Sequence, residues 1–113
     1  MRWCDENPEV KQWSSEEIVI PYISSSQGGK RRRYFMDFFV EFSGGEKFLF
    51  EVKPKAETAP PKGKRRTKNL LEKQQTFEIN LDKWRAAREY AKQRGWIFKI
   101  LHEDNLKRMG IRV

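Results

Sequence analysis

Tyr34-Phe35-Met36-Asp37-Phe38-Phe39-Val40-Glu41-Phe42-Ser43-Gly44-Gly45-Glu46-Lys47-Phe48-Leu49-Phe50-Glu51-Val52-Lys53 reads as a β-hairpin built from two apolar strands. Residues 33–42 are apolar on both faces, so that strand is expected to be central and covered by helix. Ser43 to Glu46 supply the turn, 47–53 the return strand, and Pro54 stops it. Inside Tyr34–Val40 and Phe48–Lys53 the charged residues are Asp37, Glu51 and Lys53. An unpaired carboxylate in such surroundings is costly or changes its protonation state. Carboxylates brought together with a lysine can instead share a hard divalent cation, which removes their repulsion. Metal-dependent phosphodiester hydrolysis requires that constellation.

Whether the constellation forms depends on the register. Glu51 and Lys53 leave the same face of one strand. A two-residue Gly44-Gly45 loop would pair Asp37 with Val52 and send Glu51 to the opposite face. A three-residue Ser43-Gly44-Gly45 loop pairs Phe42 with Glu46 and therefore Asp37 with Glu51, and it favours glycine in a left-handed position. Given that register, Asp37 and Glu51, helped by the Val52 carbonyl, are the candidate ligands for Mg²⁺ or Mn²⁺. Lys53 is then placed to stabilise charge developing on a phosphate. The competing reading is a buried ion pair between Lys53 and either acid. Asp37 deep in an aromatic run weighs against it, because such a pair rarely improves on an apolar substitute.

Outward from the hairpin, Met1 to Pro8 looks like the tail of a helix ended by Asn7-Pro8. Ile18 to Ile23 is a short strand with Pro21 suited to an edge, and Ser24 to Gly29 a turn. Residues 54–68 hold prolines, Gly63 and a run of basic residues, and read as a flexible cationic loop. Helical spacing runs from about Asn69 to Arg94, with a possible break at Asn80 and a stop at Gly95. Trp96 to Leu101 is a last strand and Glu103 to Met109 a terminal helix. The order is helix, three strands, helix, strand, helix: one α/β (α+β) domain spanning 1–113, with helices on a mixed sheet. Trp84, Tyr90, Trp96 and Phe98 read as core, and His102 as a turn residue rather than a base.

The 113 residues carry 24 Lys+Arg against 16 Asp+Glu, a net charge of +8 that favours a polyanionic partner. Cys4 is the single cysteine and His102 the single histidine, which excludes an intramolecular disulfide and the usual structural zinc set. No apolar stretch approaches a membrane span and no secretory signal is visible, so an intracellular protein without membrane contact is expected. Lys62, Lys64, Arg65, Arg66 and Lys68, with Lys55, follow the return strand and are placed to grip phosphates. Lys30, Arg31, Arg32 and Arg33 precede the other strand and can track the backbone opposite. The bland alternative for both runs is a solvated surface.

Tyr34-Phe35-Met36-Asp37-Phe38 followed by Phe50-Glu51-Val52-Lys53-Pro54 resembles the PD-(D/E)XK nuclease signature, with Met36 where proline is usual. Trp13-Ser14-Ser15-Glu16-Glu17-Ile18-Val19-Ile20-Pro21-Tyr22, the arginine-rich strand start, Glu51-Val52-Lys53-Pro54-Lys55, Lys83-Trp84, Phe98-Lys99-Ile100-Leu101 and Glu103-Asp104 resemble the head completion nucleases of tailed phages. The resemblance covers nearly the whole chain. It implies a restriction-endonuclease-like αβββαβ core and a nuclease acting on double-stranded DNA late in capsid assembly, around head–tail joining, in the host cytoplasm. Phage capsid or portal and neck proteins are the further partners it implies. Asp37 and Glu51 would be the metal ligands and Lys53 the catalytic lysine. The family's first helix is longer and carries another glutamate, so the first helix is expected to be truncated here. Glu16 and Glu17 are the substitutes weighed for that acid, each read first as a surface residue. Two alternatives stand beside the nuclease: a catalytically impaired DNA-binding or capsid-interaction protein on the same fold, and a basic nucleic-acid-binding domain with an incidental Glu-x-Lys.

Overall fold

The computed structural model describes residues 2–63 and 67–110. A short helix, α1 (Arg2–Glu6), leads into β1 (Val10–Ser15), then β2 (Val19–Ser24) and β3 (Lys30–Phe35), joined by a 3-10 turn at Ser25–Gln27. β4 (Phe38–Phe42) and β5 (Lys47–Val52) come next, then a 3-10 turn at Lys55–Thr58, the long helix α2 (Lys68–Arg94), β6 (Ile97–Leu101) and α3 (Glu103–Arg108). The main sheet has the order β1-β4-β5-β6, while β2 and β3 form a separate two-stranded ribbon. β4 runs antiparallel to β1 and β5, and β6 parallel to β5, so the sheet is mixed. Traced through the main sheet alone, the path is α1-β1-β4-β5-α2-β6. This is the expected αβββαβ core with the ribbon inserted after its first strand.

Two expectations are corrected. Residues 33–42 are not one strand: β3 belongs to the ribbon and β4 to the main sheet. The break falls at Met36, whose amide donates to the Ile18 carbonyl at 2.9 Å and whose carbonyl accepts from the Glu16 amide at 3.0 Å. Tyr34 and Met36 pack with Phe39 towards α2, while Phe38 and Val40 pack on the opposite face of the main sheet. Second, the first core strand is β1, not Ile18–Ile23. As an edge strand rich in polar residues, with a register irregularity between Val10 and Gln12, β1 shows no clean alternation.

Apolar side chains on opposite faces of the main sheet make two layers. Leu49 and Phe39 join Ile20, Tyr22, Tyr34 and Met36 under Ala87 and Ala91 of α2. Val40, Phe50 and Leu101 pack on the other side with Cys4, Trp3, Leu106 and Met109 from the terminal helices. α2 begins at Lys68, which the sequence assigned to the loop, and passes through Asn80 without a break. Thr67 caps its start, accepting from the Leu70 amide at 3.1 Å, and Gly95 ends it with φ 72°. Its buried residues Asn80, Trp84, Ala87 and Ala91 run from the middle of the helix towards its C-terminal end, and most residues before them are exposed.

Candidate active site

The hairpin of β4 and β5 sets the geometry. Phe38 pairs with Phe50 and Val40 with Phe48, and the Phe42 amide donates to the Glu46 carbonyl at 2.9 Å. This is the three-residue register, with Gly45 at φ 93° and its amide bonded to the Phe42 carbonyl. Continued by one residue, it puts Asp37 opposite Glu51. The next ladder position, opposite Val52, would belong to Met36, but Met36 has turned away to Ile18. The Asp37 side chain takes that place: its Oδ2 accepts from the Val52 amide at 2.8 Å. The amide and carbonyl of a strand residue leave by the same edge, so the Val52 carbonyl also faces Asp37.

Glu51 is 6% exposed and Tyr34 4%. The Tyr34 hydroxyl donates to Glu51 Oε2 at 2.5 Å, and Lys53 Nζ lies 3.7 Å from Glu51 Oε1. Burial raises the Glu51 pKa above the usual carboxylate range and the negative Asp37 nearby adds to it, while the Tyr34 hydrogen bond and the Lys53 ammonium oppose the rise. Burial first, and then Glu51, raises the Tyr34 phenol far above its ordinary value, so it stays a donor. Lys83 of α2 places its ammonium 5.5 Å from the centre of the Tyr34 ring. Tyr34 sits inside the run that carries Asp37, yet sequence reasoning passed over it. The available signal was a hydroxyl in an otherwise aromatic buried stretch, since a buried phenol needs a partner.

These oxygens suit a hard cation. Mg²⁺ is commonly held by one or two carboxylates, with water and substrate phosphate completing its shell. Among the described residues no third acidic, histidine or cysteine side chain joins the pair. Glu16 and Glu17 are exposed. Glu16 has a left-handed backbone, φ 57°, and its amide reaches the Met36 and Asp37 carbonyls at 3.0 and 3.3 Å, so its main chain abuts the site while its carboxylate does not complete it.

Lys30, Arg31, Arg32 and Arg33 are exposed along β3. Lys62 is exposed and lines, with Lys73, Phe77 and Asn80, a cleft of about 520 Å³ between α2 and the segment after β5. Lys68 is exposed at the start of α2. Lys55 is engaged at the surface: its amide donates to Glu103 and its ammonium lies 3.2 Å from Asp104. Lys64, Arg65 and Arg66 lie outside the described residues. Gln74 and Gln75 are exposed, and His102 caps α3 by accepting from the Asp104 amide. No helix among the described residues is long and apolar enough to cross a membrane.

Residues 7–103 match the family described as TnsA-like endonuclease N terminal. The chain is 44% identical over 118 residues to the head completion nuclease of Enterobacteria phage T4, covering 97% of this chain and 76% of that protein. No solved structure matches. The α+β architecture, with its mixed sheet flanked by helices, is consistent with a restriction-endonuclease-like nuclease domain.

Proposed function

Because the chain belongs to the TnsA-like endonuclease N-terminal family, we propose that it is a metal-dependent deoxyribonuclease acting in phage head completion and head–tail joining. The observation that carries this reading is the convergence of Asp37 and Glu51 on one sheet face beside Lys53. Asp37, Glu51 and the Val52 carbonyl would hold Mg²⁺ or Mn²⁺, which supplies electrophilic stabilisation of the phosphate when bound. The Asp37 hydrogen bond to Val52 and the Tyr34 hydrogen bond to Glu51 orient the two carboxylates before anything binds. Lys53, with its side chain 27% exposed, keeps its ammonium at the solvent side of Glu51. There it meets negative charge developing on a phosphoryl oxygen and can orient the attacking water. Lys30 to Arg33 and Lys62 to Lys68 supply sequence-independent contacts to the duplex backbone.

The test is nicking of supercoiled plasmid in Mg²⁺ and in EDTA, by this chain and by Lys53→Ala. Cleavage should require the metal and fall by on the order of 10²-fold or more in the variant, the size expected for losing a charge-stabilising group. Among the described residues only two carboxylates meet at the site, which favours one alternative, a DNA-binding protein that does not cut. Bound but intact plasmid in Mg²⁺ would establish that alternative.

A further inference from the structure

We propose that Tyr34 is a positioning residue that sets which cation the site prefers: by occupying Glu51 Oε2 it leaves Glu51 a one-oxygen ligand, favouring Mg²⁺ or Mn²⁺ over Ca²⁺. This rests on the reading of Asp37 and Glu51 as a cation site. The two oxygens of Glu51 are not equivalent. Oε2 accepts from the Tyr34 hydroxyl at 2.5 Å, whereas Oε1 faces Lys53 at the longer distance of 3.7 Å. The phenol cannot easily swing aside, because its ring is buried among Ile20, Met36, Leu49 and Ala87 and carries the Lys83 ammonium on its face. A short hydrogen bond from a buried donor competes for the electron density that a second metal–oxygen contact needs.

The two classes of cation use carboxylates differently. Ca²⁺ gathers six to eight oxygens (about 2.3–2.6 Å away) and often takes both oxygens of one carboxylate. Mg²⁺ demands a tight octahedron, keeps its waters, and is satisfied by one oxygen from each of one or two carboxylates. A glutamate held by one oxygen therefore disfavours the larger ion.

The experiment is calorimetric titration of the DNA-free protein with MnCl₂ and with CaCl₂, for the unaltered chain and for Tyr34→Phe. The unaltered chain should prefer Mn²⁺. In the variant Mn²⁺ should bind about tenfold more weakly, the scale of losing an outer hydrogen bond. Ca²⁺ should bind as well as before or better, so the preference falls by at least that factor. A preference unchanged in a folded Tyr34→Phe overturns the proposal alone, while an unaltered chain that binds neither ion overturns the cation site itself. Should Tyr34→Phe not fold, 3-fluorotyrosine placed at Tyr34 keeps the shape and donates more strongly. The preference should then rise, and a fall would overturn the proposal.

Discussion

A carboxylate at position 51 shares its sheet face with Leu49 and lies beneath the Tyr34 phenol, and this burial makes it hold its proton more tightly than it would in water. Its folded pKa is above the unfolded one, so the folded chain binds more protons through that window, and stability falls as pH rises across it. Glu51→Gln removes the ionisation while keeping an acceptor for Tyr34. In EDTA at neutral pH its Tm should exceed that of the unaltered chain by roughly 2–5 °C. The gain should shrink as pH falls towards the ordinary glutamate value of 4.5. Scanning fluorimetry across pH checks this, and a lower Tm for the variant at neutral pH would contradict it. Asp37, Glu51 and Lys53 were legible because charge inside an apolar run asks for a reason. Tyr34 was not, because a tyrosine among phenylalanines looks like core until its hydroxyl partner is located.

The hairpin between β4 and β5 is the element on which the site depends, since a loop one residue shorter would send Glu51 to the wrong face. Gly45 holds φ 93° with open space where a Cβ would stand. Gly45→Ala should therefore pay only the backbone cost of a positive φ, about 1–2 kcal/mol, visible as a lower urea midpoint. An unchanged midpoint would show that the turn does not need that conformation. The Ser43-Gly44-Gly45 spacing allowed this register beside a two-residue alternative, and only the need to bring Asp37 opposite Glu51 favoured it. The break at Met36 was hidden because apolar residues lie on both sides of it. β1 was hidden for the opposite reason: Lys11 and Gln12 of this edge strand are polar, and both meet the buried Glu41 across the sheet.

Across the whole molecule, the sheet puts Asp37 and Glu51 on the face that also carries the ribbon and α2, while β3 and the start of α2 carry exposed basic residues. The order from β5 onward was readable because α2 and β6 follow it with clear helical and strand spacing. The ribbon's separation from the main sheet was not, since pairing between layers leaves no mark on local periodicity. With 16 acidic residues spread over the chain, weak surface binding of a divalent cation is expected in many places, and the proposed centre of Asp37 and Glu51 is expected to bind it most strongly. Anomalous diffraction from a crystal soaked in Mn²⁺ tests this directly. A peak between the carboxylates of Asp37 and Glu51, lost in Asp37→Asn, is the predicted result, and Mn²⁺ bound only elsewhere would contradict it.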